Sequence, residues 1–155
     1  MYRWVVFMHL FATFAFLLAH GVQAAVMLKF RREADPEHSL ALFNVLPSLH
    51  LLRLLTALIV ITGLVAGFTV NWWRQGWMWV SLAILVAIAV LMSRYGSGYF
   101  TLIADAASRA VEAGKRGPAL DEFAAVRGAW HPIGMTVFGM VGLAIILWLM
   151  MFKPF

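Results

Sequence analysis

Residues 2–28 read YRWVVFMHLFATFAFLLAHGVQAAVML, an apolar run interrupted only by Arg3 at its start and by His9, Thr13, His20 and Gln23 within it. A bilayer core about 30 Å thick is crossed by about 20 residues of α-helix, so this run is long enough to span one. Three further runs come after it, at residues 45–70, 77–92 and 132–152. The third is the shortest, and its helix is expected to continue to about residue 94. The pattern predicts an all-α, integral membrane four-helix bundle forming one transmembrane domain.

The composition agrees. Of the 155 residues, 63% are hydrophobic and only 12% are charged, about half the charge that a water-covered surface normally carries. A cleaved secretory signal is the alternative reading of the first run, with Arg3 as its positive end and Val22-Gln23-Ala24 as a cleavage site. The length of the run and its interruption by His9, His20 and Gln23 favour a retained helix. The net charge of +5 does not point to nucleic acid. The basic residues flank the apolar runs, as membrane-boundary charges do, and form no recognition stripe. The absence of cysteine excludes disulfides, thiolate metal sites and cysteine nucleophiles.

Lys29, Arg31 and Arg32 end the first run, and Arg94, Arg109, Lys115, Arg116 and Arg127 lie between the third and fourth. Four crossings put both groups on one side, eight basic residues against Arg3, Arg74 and Lys153 on the other. The positive-inside rule then predicts both termini outside and the two larger loops in the cytoplasm, as in a bacterial inner membrane. Trp72, Trp73, Trp77 and Trp79 crowd the short second connection as an outer aromatic belt. Between residues 99 and 130 the sequence predicts a short helical cytoplasmic cap. Residues 101–113 and 120–126 are helical in pattern and are broken at Gly114-Lys115-Arg116-Gly117-Pro118. Pro36 and Pro47 bracket the approach to the second crossing.

Polar side chains inside a bilayer are costly, and each needs a reason. His9, Thr13, Phe16, His20, Gln23 and Met27 recur at helical spacing and share one face, which is expected to point into the bundle. His9 and His20 stand three turns apart, roughly 16 Å along the axis. The second run adds His50 and Arg53, and its Arg53, Thr56, Gly63 and Gly67 share another face. Gly63 and Gly67 form a GxxxG spacing, which is common by chance in apolar sequence. The fourth run opens at His131-Pro132 and carries Gly134, Gly139 and Gly142. The third ends in Ser93-Arg94-Tyr95-Gly96.

His20, His50 and His131 all fall toward the cytoplasmic half, on three different helices. Imidazoles converging from facing bundle helices are how a b-type haem is held, with arginines for its propionates. The candidate cofactor residues are therefore His9, His20, His50, His131, Arg53 and Arg94. His9, His20 and His50 are also candidate ligands for copper, which suits His and Met without Cys. Each histidine has a bland alternative, a hydrogen bond across the bundle, and His38 reads as a solvated loop residue. Every acidic residue lies outside the four runs. No zinc-protease, nucleophile-elbow or phosphate-loop motif is present, so hydrolase chemistry is not expected.

With His9 in the stretch WVVFMHLFA, the basic exit LKFRR at residues 28–32 and HLLR at 50–53, the chain resembles a superfamily of small four-helix membrane proteins. That superfamily contains the CopD copper-resistance proteins and the HemJ protoporphyrinogen oxidases. The resemblance covers chiefly the first two helices. It implies a haem role for His9, the histidine early in the first helix. HemJ-like proteins also carry a basic residue deep in a later helix, which this chain lacks.

The sequence thus predicts a membrane protein that binds one b-type haem and passes electrons, as an oxidoreductase or a redox subunit. Its partners would be the bilayer, other membrane redox subunits or further copies of itself. The alternatives are a non-catalytic accessory subunit and a copper-handling protein.

Overall fold

The structure, a computed structural model, describes all residues except Trp130 and Phe155, and describes Tyr95, Gly96, Ser97, His131 and Pro132 by their backbone alone. The described residues are helical throughout, joined by turns, and contain no strand. Seven α-helices occur in order: α1 Tyr2–Arg32, α2 Pro36–Phe43, α3 Leu49–Thr69, α4 Gly76–Leu91, α5 Ser97–Glu112, α6 Pro118–Gly128 and α7 His131–Phe152. A 3₁₀ turn, Trp72–Arg74, joins α3 to α4, and a π-helical turn, Met92–Gly96, joins α4 to α5. Four helical stretches, containing α1, α3, α4 and α7, are long and apolar enough to cross a membrane.

Helix boundaries obey local chemistry. The second long helix begins at Leu49, later than the expected residue 45, because Ser48 caps it with its Oγ accepting the Leu51 N–H at 3.1 Å. Hydropathy extends back to Val45, but Pro47 and Ser48 set the start. Between the first two long helices the sequence predicts only a connection bracketed by prolines. The structure places α2 there, started by Asp35, whose carboxylate accepts the Glu37 N–H, with Pro36 in the first turn. The predicted break after α5 is a Schellman turn. The Lys115 N–H bonds the Ala110 carbonyl, the Gly114 N–H bonds that of Val111, and Gly114 takes a φ of +68°.

The long helices pack as two pairs, α1 with α3 and α4 with α7, and α1 bridges to α7. At the end that carries the two termini and the tryptophan turn, the pairs meet closely. The Met78 side chain fills the space beside Gly67, and the Trp73 ring packs against Phe68 at a tilt of 48°. Lys153 Nζ lies 4.3 Å above the Trp72 ring, tying the end of the chain to the same turn. At the other, loop-bearing end, α2, α5 and α6 form a layer with its own apolar core. Val26 and Phe30 of α1 insert between Ile103, Ala106, Ala107 and Ala110 of α5 and Phe123 of α6. Lys115 adds ion pairs to Asp35 and Glu37, at 2.9 and 3.0 Å. A second core, Ile88, Leu143 and Ile146 with Phe16 and Leu17, joins α4 and α7 to α1. Most of the large apolar side chains on the long helices point outward, among them Phe11, Phe14, Leu18, Ile61, Phe68 and Trp148. That surface suits hydrocarbon rather than water.

Candidate functional site

The polar face of α1 divides between two partners. His9 turns to α3, where Nδ1 lies 3.1 Å from the Ile59 carbonyl oxygen and 3.0 Å from Thr62 Oγ1. A carbonyl only accepts, so Nδ1 carries the hydrogen, and Nε2 is left as the lone-pair nitrogen. Thr62 can accept because its own hydroxyl donates to the Leu58 carbonyl at 2.6 Å. Gly63 makes room for the ring, since a Cβ there would stand 3.2 Å from His9 Cε1.

His20 turns to α7. The side chain is buried, its ring is stacked parallel to Phe16 at 5.8 Å, and Nε2 has no hydrogen-bond partner. Gly139 lies under it, and a Cβ there would stand 3.1 Å from Nε2 and 3.0 Å from the tip of Met92. The two halves of the expected face therefore serve different contacts, and the expected GxxxG pair does likewise. Gly63 receives α1, whereas Gly67 receives Met78 of α4.

Toward the loop-bearing end, the α1/α3 and α4/α7 pairs diverge and enclose a cavity of about 520 Å³, within the range of small-molecule and cofactor sites. From α1 it is lined by Phe16, His20, Gln23 and Met27, and from α3 by Leu52, Arg53 and Thr56. Leu85 and Met92 complete one wall, Met135 and Thr136 of α7 another. Tyr99 and Phe100 of α5 stand at its loop-bearing end, with the Tyr99 hydroxyl donating to the Val126 carbonyl at 3.4 Å. Among the described lining residues Arg53 alone is charged, and it has no acidic partner among the described residues.

The structure thus brings together His20 and Arg53 of the expected set. His50 is exposed, the second residue of α3, and does not line the cavity. Leu49 and Leu52 on either side of it do line the cavity, so its level along α3 is not what keeps His50 out. Arg94 is exposed and outside the wall. The side chain of His131 lies outside the described residues. His38 is exposed on α2, with Nδ1 3.7 Å from Glu33. Among the described residues no group of three His or carboxylate side chains gathers as a metal site.

Sequence reading missed Tyr99, Met135 and Thr136. They belong to elements whose approach to His20 depends on how the helix pairs diverge, and no local spacing encodes that. Tyr99 carried a weak signal, an aromatic pair with Phe100 immediately after a Gly-Ser-Gly stretch.

For a haem, the lining offers one imidazole, that of His20, and one guanidinium, that of Arg53, in a largely apolar wall, with Nε2 of His20 set against Gly139 and Met92.

Fold and cavity together define a helical bundle with four stretches long and apolar enough to cross a membrane and with a largely apolar chamber. Neither a family model, nor a curated protein, nor a solved structure matches the chain.

Proposed function

We propose that this chain is an integral membrane protein that holds a b-type haem in the chamber between its helix pairs and serves electron transfer, alone or as a subunit of a redox complex. The observation that carries the reading is the buried, unpartnered Nε2 of His20 in the wall of a chamber whose one described charge is Arg53. His20 would hold the iron and Arg53 a propionate. Bound haem would supply one-electron chemistry. The protein's own share is to exclude water, through the apolar walls, and to fix the imidazole between Phe16 and Gly139.

The likeness to CopD- and HemJ-type proteins belongs to the same proposal. His9, with Nδ1–H held by Ile59 and Nε2 bearing the lone pair, has the tautomer that a metal-binding histidine takes when its other nitrogen is anchored. In this reading the layer of α2, α5 and α6 lies on the cytoplasmic face and both termini lie outside, in a bacterial inner membrane. The basic residues on α5, α6 and their turn support that orientation.

Purification after expression with added haem precursor tests the reading. A Soret band that is lost in His20→Ala but kept in His50→Ala is expected. A colourless protein would overturn it.

One observation favours a second reading, a non-catalytic accessory subunit. Nε2 of His20 is covered by Gly139 and Met92, a packing role that needs no cofactor. His20→Ala would then lower stability with no spectroscopic change. Copper handling has less support, because no group of three His or carboxylate side chains gathers among the described residues.

A further inference from the structure

The chamber is closed on most sides and open on one. Gly67, Met78 and Trp73 close the gap between α3 and α4 at the terminal end. The contact of His20 with Gly139 closes the gap between α1 and α7. Tyr99 and Phe100 stand at the loop-bearing end. Beyond the tryptophan turn, however, α3 and α4 do not pack along their length. Six residues that line the chamber are also exposed, Leu49, Arg53 and Ala57 on α3, Ala89 and Val90 on α4 and Ser93 just after it. They mark a window between the two helices, and small residues, Ala57 and Ala89, face it from both sides.

The window lies within helices apolar enough to span a membrane, so hydrocarbon rather than water would stand outside it. Arg53 is one turn from Ala57, roughly 6 Å along α3 and nearer the loop-bearing end. An unpaired guanidinium there is costly unless an anion meets it, or unless its head reaches the membrane surface. Both conditions are met by a molecule with an apolar body in the chamber and an acid group at the boundary.

We infer that the chamber takes a membrane-dissolved carboxylic amphiphile, which enters sideways from the leaflet beside the loop-bearing end, between α3 and α4, and leaves its carboxylate on Arg53. The inference rests on the chamber being a ligand site. It does not require the ligand to be haem, though haem propionates have the same chemistry. No second basic residue lines the described wall, so the site suits one carboxylate better than a doubly charged phosphate.

The test uses the full chain in nanodiscs of zwitterionic lipid, with a long-chain fatty acid carrying a photoreactive diazirine and, as the neutral control, its methyl ester. Saturable labelling confined to peptides that line the chamber, those around Arg53, Ala57 and Ala89 among them, is expected, with the acid labelling about tenfold more than the ester. Arg53→Gln should remove that preference. Ala89→Trp and, separately, Ala57→Trp should block labelling by the acid while the thermal midpoint stays near that of the wild type. Two window variants guard against one of them misfolding. Labelling spread evenly over all outward faces, or labelling unchanged in both folded window variants, would overturn the inference. No saturable acid labelling of protein prepared free of haem would overturn it, and a Soret band on later addition of haem would leave the haem reading intact. Saturable labelling in a protein that stays colourless on that addition would support it and end the haem reading.

Discussion

Gly139 of α7 lies directly beneath the imidazole of His20, so close that a single added methyl group would stand 3.1 Å from Nε2. The ring has little room to yield, because Phe16 is stacked on its face. Met92, the other neighbour, can bend its flexible end away. Gly139→Ala should therefore displace His20 rather than Met92 and cost about 1–3 kcal/mol of overpacking. Unfolding in mixed micelles would measure the cost, and in a haem-loaded preparation the Soret maximum should shift or weaken.

His9 and Thr62 should be energetically coupled. The imidazole N–H is shared between the Ile59 carbonyl and Thr62 Oγ1, and the threonine is aligned by its bond to Leu58. Hydrogen bonds between membrane helices average about 0.6 kcal/mol and reach about 1.7. A double-mutant cycle of His9→Leu and Thr62→Val should give a coupling of about that size. A coupling indistinguishable from zero would mean that the Ile59 carbonyl alone holds the ring.

The glycines of the bundle should not be equivalent. At Gly142 a Cβ would stand 2.6 Å from Ile88 Cδ1 and 3.2 Å from its Cγ1, and Ile88 is branched and buried in the core with Leu143 and Ile146. At Gly67 the obstacle is chiefly the tip of Met78, which can move. Gly142→Ala should thus destabilise by about 1–3 kcal/mol and Gly67→Ala by clearly less, as read from unfolding midpoints of the two variants side by side.

The link between Lys115 and α2 should weaken at both extremes of pH. The hydrogen bond from Lys115, and after it that from the Glu37 N–H, holds the Asp35 carboxyl below the usual carboxylate range. Its contribution is complete above that range and is lost as pH falls through the lowered value. Asp35, then Glu37, pushes the Lys115 ammonium up, so its contribution is complete at and below the ordinary lysine range and is lost only as pH rises past the raised value. The contacts are partly exposed and the effect should be small. Lys115→Met should lower the unfolding midpoint near neutral pH and make no difference well below about pH 4.

The four long helices could be read from sequence because length and apolarity are properties of a chain segment. Their starts are less legible. Val45 and Leu46 are as apolar as the residues beyond them, and only the Pro47-Ser48 cap separates them from α3. The helix α2 escapes sequence reading for a similar reason. Eight residues with two charged or titrating side chains make a weak pattern, and its support comes from α5. Within the candidate site, the inward face of α1 was legible and so was the arginine on α3. That His20 meets Arg53 in one chamber depends on the packing of α1 against α3 and on the divergence of α3 from α4. Both are tertiary facts with no local signature.

The π-helical turn Met92–Gly96 has a consequence for how the two cores are set against each other. Each residue added to a helix rotates the remainder of that helix by about 100°, and a π turn holds one more residue than the α-helical turn it replaces. It therefore works as a phase shifter between Ile88, which faces α7, and the stripe of Ile103, Ala106, Ala107 and Ala110, which must meet Val26 and Phe30. Removing one residue from it would leave both helices intact and aim that stripe away from its partners. The joint is thus constrained in its length as well as in its sequence.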